Sequence, residues 1–198
     1  MTAKSEKTTD FILEQVAPIF NRLGYVGTSM SDITNATGLT KGAIYGNFKN
    51  KEDLSIQAFN RVIKLSIGYV SHMMMKHAKA KDQLKALTDV YKRYYEITLD
   101  LGGCPIINMG SDANNQHPAL MARVTSVMKK LVSNIAVIIE QGQKEGDFKI
   151  EINPQELAMR IYSTIQGSIF TSTMMKDENH MPRMMEYLEN AITKELHI

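Results

Sequence analysis

The chain has 198 residues, 43% of them hydrophobic and 22% charged, which excludes a disordered or fibrous protein and suits one large or two small domains. The single cysteine, Cys104, excludes an internal disulfide framework and a cysteine-rich metal site, no apolar run reaches the about 18 residues of a membrane span, and the polar start MTAKSEKTTD lacks a signal-peptide core, so a cytoplasmic location is expected. The net charge is only +2, and the segment through Lys51, with six basic and four acidic residues, carries all of it, a hint that this end meets something anionic.

Phe11, Ile12, Val16, Ile19, Phe20 and Leu23 fall on one stripe and predict an amphipathic first helix over Thr8–Leu23, ended by Gly24 and disturbed by Pro18. A short second helix follows, with Ser31 as N-cap, Ile33 and Ala36 inward and Gly38 as its stop. Thr40 caps a third, Lys41 to about Asn47, whose buried side is Ile44 and Phe48. From an N-cap at Asn50, with Glu52 and Asp53 in the first turn where carboxylates suit the helix dipole, a long fourth helix carries Leu54, Ala58, Val62, Leu65, Tyr69 and Met73 as its stripe. Asp82–Leu101 reads as the fifth, with Leu84, Leu87, Val90, Tyr91, Tyr94 and Leu99, terminated by Gly102-Gly103. Pro105, Pro118 and Pro154 each open a further helix, the second of them broken by Gly142 and Gly146, and the last helix runs from near Pro182 to Leu196. There is no repeat, low-complexity tract or strand pattern, so the expected fold class is all-α with about nine helices.

The informative stretch is Thr28–Leu54, TSMSDITNATGLTKGAIYGNFKNKEDL, where two short helices meet at Gly38 in a helix-turn-helix arrangement. The outward residues of the second, Thr40, Lys41, Gly42, Tyr45, Gly46 and Asn47, are small, hydrogen-bonding or basic, and none is acidic. A helix entering the DNA major groove needs that composition, because a carboxylate there would face phosphates on both walls. The run ATGLTKGAIYGNFKNKEDL closely resembles the DNA-binding signature of the TetR family of bacterial transcriptional regulators, and the resemblance covers about the first 55 residues, including the Gly24-Tyr25 turn and the Thr28-Ser29 start of the second helix. The family usually has a bulky residue after the tyrosine and often a histidine next; Gly46 and Asn47 depart from this, which bears on base preference.

The resemblance implies a helix-turn-helix DNA-binding domain over 1–50 and a helical effector-binding and dimerisation domain over 51–198. It implies DNA contacts from Thr28, Ser29, Thr40, Lys41, Gly42, Tyr45, Gly46, Asn47 and Lys51. Of these, Lys51 is the expected phosphate anchor, Lys41 a bidentate partner of guanine, and Asn47 a partner of an adenine edge or a phosphate, with Thr28 and Tyr45 on the backbone. One such module reads few base pairs, so a homodimer on a palindromic operator is expected. The apolar excess of the last two helices, Leu157, Ile161, Ile165, Ile169, Leu188 and Ile192, marks them as the candidate dimer bundle. The resemblance also implies a small-molecule pocket, with Met73, Tyr91, Tyr94, Tyr95, Cys104, Met109, Met121, Met128 and Phe170 as candidate lining; fourteen methionines suit an adaptable apolar wall. The function expected is a ligand-responsive transcriptional regulator, a repressor released from its operator by a small molecule, with no metal or cofactor.

Three other readings compete with this one. Cys104 sits in Gly102-Gly103-Cys104-Pro105 at a helix start, where the dipole favours a thiolate, so a redox- or electrophile-sensing repressor is the alternative to a buried structural thiol. No Gly-rich phosphate loop, nucleophile elbow or zinc-binding pair among His72, His77, His117, His180 and His197 points to an enzyme. A helical scaffold that binds no DNA leaves the groove-compatible helix unexplained.

Overall fold

A computed structural model of the chain describes residues 3–98, 100–114 and 117–196; Leu99 and His197, named above, lie outside the described residues. Among the described residues there are ten helices and no strand. They are α1 (Ala3–Gly27), α2 (Met30–Thr37), α3 (Lys41–Tyr45), α4 (Lys51–Met75), α5 (Ala80–Lys92), α6 (Tyr94–Thr98), α7 (Pro105–Ala113), α8 (Pro118–Glu145), α9 (Pro154–Met175) and α10 (His180–Leu196). None is long and apolar enough to cross a membrane. The additional helix arises because the expected fifth breaks at Arg93, whose backbone leaves the helical region (φ −109°, ψ 15°) with no glycine or proline to announce it.

Local chemistry sets most of the boundaries. Pro18 lies inside regular helix, and the departure in α1 is at Gly24 (φ 74°, ψ 179°). The cap of α2 is Ser29 rather than Ser31: Ser29 Oγ accepts from the Asp32 amide (3.1 Å) while Asp32 Oδ2 accepts from the Ser29 amide (2.7 Å), a capping box. The Ser29 hydroxyl also donates to Asp32 Oδ2 (2.7 Å), and this bond, with the one from the Ser29 amide, holds the Asp32 carboxyl below the usual carboxylate range. Thr40 Oγ1 caps α3 by accepting from the Ala43 amide (3.2 Å), and Asn50 Oδ1 accepts from the Asp53 amide (2.8 Å) at the start of α4. Helix α8 runs straight through Gly142, where a Cβ would lie 2.2 Å from the buried Phe148 ring, and stops before Gly146 (φ 79°).

The chain packs as two compact units, the first running through Ser66 and including Thr98–Thr125, the second comprising Ile67–Ile97 and Ser126–Ile198, so the packing does not follow a division at residue 50. In the first unit Ile12, Phe20, Ile33, Ile44, Phe48, Leu54, Phe59, Met109 and Leu120 are buried. Each large apolar side chain removed from water contributes about 1.5–3 kcal/mol. Phe11 and Leu23 are exposed instead, and α1 turns Leu13 and Ala17 inward beside Ile12, Val16 and Phe20. In α4 the buried line is Leu54, Ala58, Val62, Ser66, Val70 and Met74, so Leu65 and Tyr69 of the expected stripe face solvent. Ser66 is tolerated at a core position because its hydroxyl donates to the Val62 carbonyl (2.8 Å) within the same helix.

In the second unit α10 packs against both α5 and α9. Glu189 of α10 receives Lys85 Nζ (2.8 Å) and Lys92 Nζ (3.1 Å) from α5, and Asp89 pairs with Lys92 (2.9 Å) and Lys85 (3.4 Å). The hydrogen bond from Lys85 holds the Glu189 carboxyl below its usual value; at Asp89 partial burial acts upward, but Lys92 and Lys85 outweigh it. The same contacts raise both lysines, through Glu189 at Lys85 and through Asp89 at Lys92. Depressed carboxyls stabilise the fold above the ordinary carboxylate range and lose that contribution as pH falls through their folded values; the raised lysines lose theirs only as pH rises past the ordinary lysine range. These side chains remain 28–58% exposed, so solvent screening keeps the contribution small. Glu189→Gln is therefore expected to lower stability at pH 7 by at most about 1 kcal/mol, and the difference should shrink as pH falls below the ordinary glutamate range. Urea unfolding across that range checks this; a pH-independent difference would assign the effect to packing.

Candidate nucleic-acid interface

The surface carrying α2 and α3 is set by how α1 ends. At Gly24 the positive φ and the approach of Asp112, whose Cγ would lie 2.7 Å from a Cβ there, both require glycine. Asp112, on α7, accepts the two N–H groups exposed by that break: Oδ2 lies 2.6 Å from the Tyr25 amide and 3.1 Å from the Val26 amide. The Thr28 hydroxyl donates to the Gly24 carbonyl (2.7 Å), closing the turn ahead of Ser29. Lys51, the first residue of α4, donates from Nζ to the Tyr25 carbonyl (2.6 Å) and lies 4.4 Å above the Tyr25 ring. The other side of that ring meets His117 in a tilted contact, 3.9 Å between centroids. Burial depresses the Lys51 ammonium below the usual lysine value, against the opposing pull of Asp112 and Asp32, and burial raises the Tyr25 phenol.

A second clasp holds α1 higher up. Asn21 Nδ2 donates to the carbonyls of Leu101 (2.7 Å) and Gly103 (2.8 Å), and Asn108 Nδ2 returns the contact to the Asn21 carbonyl (3.0 Å) and to Gly102 (2.9 Å). Gly102 has φ 86°, and a Cβ there would come within 3.0 Å of the Pro18 carbonyl oxygen. The Gly-Gly-Cys-Pro turn is thus a plate against which α1 docks. Cys104 is the buried N-cap residue of α7.

The residues expected at DNA divide into three groups. Ser29, Thr40, Lys41, Gly42, Tyr45 and Gly46 are exposed at the start of α2 and along α3. Asn47 and Lys51 are half-buried: Asn47 Nδ2 donates to the Ala43 carbonyl (2.9 Å) and its Oδ1 accepts from Thr9 (3.2 Å), fastening α3 to α1. Thr28 is fully buried and offers its side chain to the Gly24 turn rather than to the surface. Thr9, Asn21, Asn108 and Asp112, which hold this surface in place, carry no local sequence signal; the Gly24-Tyr25 pair is the one local sign of the turn.

The second unit holds a cavity of about 320 Å³ between the end of α4, α5, α8 and α9. Of the residues expected around an effector, Tyr91 lines it; Met73, Tyr94, Tyr95, Cys104, Met109, Met121, Met128 and Phe170 do not. Cys104, Met109 and Met121 belong to the first unit, Met109 is fully buried there, and Tyr95 and Phe170 face solvent. Leu157, Ile161, Ile165, Ile169, Leu188 and Ile192 are all buried within the chain, at 5% exposure or less, so they have no surface to offer a partner. The periodicity that suggested an interface belongs to the core. The apolar side chains left outside on these helices are Met159, Phe170, Met174 and Met175 of α9 and Tyr187 of α10.

Over residues 12–58 the chain matches the family model for bacterial regulatory proteins of the tetR family, and over residues 80–188 that for a tetracyclin repressor-like C-terminal domain. It is 21% identical over 181 residues to the HTH-type transcriptional repressor DhaR of Mycobacterium sp. (strain GP1), spanning 91% of this chain and 90% of that one. It is 26% identical over 195 residues to the uncharacterized HTH-type transcriptional regulator YxaF of Bacillus subtilis (strain 168), spanning 98% and 99%. Among solved structures, a TetR-family transcriptional regulator from Cytophaga hutchinsonii is 30% identical, with a TM-score of 0.91 over 99% of this chain and 98% of that one. A second, from Chloroflexus aurantiacus J-10-FL, is 29% identical with a TM-score of 0.92 over 98% of each.

The Asp112 contacts generate a direct expectation. Asp112→Ala strips an ionised acceptor from two backbone donors and should cost about 1–3 kcal/mol, with Asp112→Asn intermediate because its amide oxygen still accepts. Hydrogen exchange at the Tyr25 and Val26 amides should accelerate in step. Unchanged exchange at both amides in Asp112→Ala would remove the carboxylate as their acceptor.

Proposed function

The chain belongs to the TetR family of bacterial transcriptional regulators, and from that premise we propose that it binds a palindromic operator as a homodimer through α2 and α3, and is released when a small molecule occupies the second unit. It is a DNA-binding regulator rather than an enzyme. The observation that carries the finer reading is the exposed, acid-free face of Thr40, Lys41, Gly42, Tyr45 and Gly46 on a short helix anchored from α1.

On this reading Lys41 reads a guanine edge, the Ser29 and Thr40 hydroxyls and Tyr45 meet the sugar-phosphate backbone, and Gly42 and Gly46 let α3 approach closely. Lys51 donates one of its three ammonium protons to Tyr25 and keeps donors for a phosphate at the start of α4. Thr28 and Asn47 act by position, the first by closing the turn ahead of Ser29, the second by fastening α3. Helix α4 begins at Lys51 and ends in the cavity wall at Val70 and Met74. An effector that favours one placement of this helix therefore changes DNA affinity by its differential affinity for the two placements. The homodimer uses the outer face of α9 and α10, where Met159, Phe170, Met174 and Tyr187 are exposed. Cys104, at 5% exposure, is assigned to packing rather than to oxidant sensing, because a shielded thiol reacts slowly.

Electrophoretic retardation of the DNA upstream of the protein's own gene, against competitor DNA at several salt concentrations, tests the reading; no specific retardation at any salt would reject it. Lys41→Ala should cost about 1–3 kcal/mol on the cognate site and relax one base position per half-site, whereas equal losses on random DNA would contradict base readout. Lys51→Ala should weaken cognate and random DNA alike and flatten the salt slope by about one unit; an unchanged slope would take Lys51 off the phosphates. Phe170→Glu should yield a folded monomer by light scattering, since it places a charge in the proposed dimer face. A dimer mass for that variant would move the interface elsewhere.

A further inference from the structure

The cavity in the second unit has a property that the regulatory reading does not require. Among the described residues fifteen line it, and none of these is Asp, Glu, Lys, Arg or His. Its floor is buried and apolar or aromatic, with Leu87, Tyr91 and Ile165 each at 5% exposure or less, while Met75 and Val137 stand exposed at its mouth. The absence of charge follows from the build of α5. Gln83, Leu87 and Tyr91, spaced four apart, face the cavity, whereas Lys85, Asp89 and Lys92 lie on another face and pair with one another and with Glu189 of α10. The two α5 cations beside these residues, Lys85 and Lys92, are therefore already engaged. Gln83 Nε2 likewise donates to the His77 carbonyl (2.9 Å), and the lining's other polar side chains are the exposed amide of Asn134 and the uncharged hydroxyls of Ser71, Tyr91 and Tyr162.

We infer that the ligand of this cavity is an uncharged, largely apolar molecule carrying one or two hydrogen-bonding groups, and neither an organic cation nor a carboxylate. This rests on the reading of the second unit as the effector-binding part of the regulator. The physical reason is desolvation. An ion entering this cavity gives up its water and finds no countercharge among the fifteen lining residues, whereas a neutral molecule exchanges water for apolar side chains and thioethers, and its polar group for an amide or a hydroxyl.

The test uses the purified full-length protein at neutral pH with three probes that share one ring system and differ in charge: naphthalene-methanol, naphthoate and naphthylmethylammonium. Titration calorimetry without DNA should give the neutral alcohol at least about tenfold tighter binding than either ion. Asn134→Lys, a change at an exposed rim residue, should invert the order in favour of naphthoate. Ile138→Trp should abolish binding of the alcohol while the urea unfolding midpoint stays near that of the parent. Equal or tighter binding of either ion by the parent protein overturns the inference, as does failure of the alcohol to bind at millimolar concentration. Release of retarded DNA by the alcohol is scored separately. Calorimetric binding without release supports the ligand class and counts against the regulatory role of the cavity, so the two failures are distinguishable.

Discussion

A single carboxylate oxygen, Oδ2 of Asp112, accepts two consecutive backbone N–H groups where α1 breaks at Gly24, and the surface carrying α2 and α3 depends on that contact. A helix that ends abruptly leaves backbone groups without partners, and here they are met from a residue 87 positions further along the chain. With the break fixed, the Tyr25 carbonyl is presented to Lys51 and the Thr28 hydroxyl reaches back to Gly24, so α2 and the start of α4 take their places relative to α1. The Asn21 and Asn108 amides repeat the device against the Gly102-Gly103 backbone. The result is a helix-turn-helix too small to hold itself, supported by α7 from outside its own sequence.

The two units divide polar chemistry differently. In the first, polar side chains bind backbone: carbonyls and amides at Gly24, Tyr25, Leu101 and Gly103 are all met by Asn, Asp, Thr or Lys. In the second, charges on α5 and α10 pair with each other, which leaves the opposite face of α5 neutral. Helix α4 supplies residues to both, with Ser66 bonded within the helix at the point where the buried line passes from one unit to the other.

Much of this was legible in the sequence where the signal is local. Thr40, Asn50, Pro105, Pro118 and Pro154 mark helix starts because capping and a fixed proline φ act within a few residues, and the run from Ala36 to Leu54 identifies its family by its order alone. Where the structure departs from the sequence expectation, one cause recurs. An apolar stripe states that a face is buried and not by what, so Leu157, Ile161, Ile165 and Ile169 read equally well as a dimer seam or as the core they form. The same ambiguity scattered the expected pocket residues between core and surface. In α4 a serine occupying a core position shifted the apparent stripe by one residue. The Arg93 break and the Asp112, Asn21 and Asn108 contacts leave no local trace, because their partners are either ordinary backbone or 80 and more residues away.

On the proposed reading of α3 as the helix that meets DNA, Gly42 and Gly46 open a route by which such a regulator changes its target. Gly46 has ordinary helical backbone angles (φ −71°, ψ −18°), and a Cβ at either position meets nothing nearer than 3.4 Å. Neither glycine is demanded by conformation, unlike Gly24. Each is a vacancy on the outer face of α3 that a larger side chain could fill without disturbing Ile44, Phe48 or the Asn47 fastening behind it. Divergence of binding sequence within a genome, or its deliberate redesign, can therefore proceed one substitution at a time while the scaffold keeps its stability.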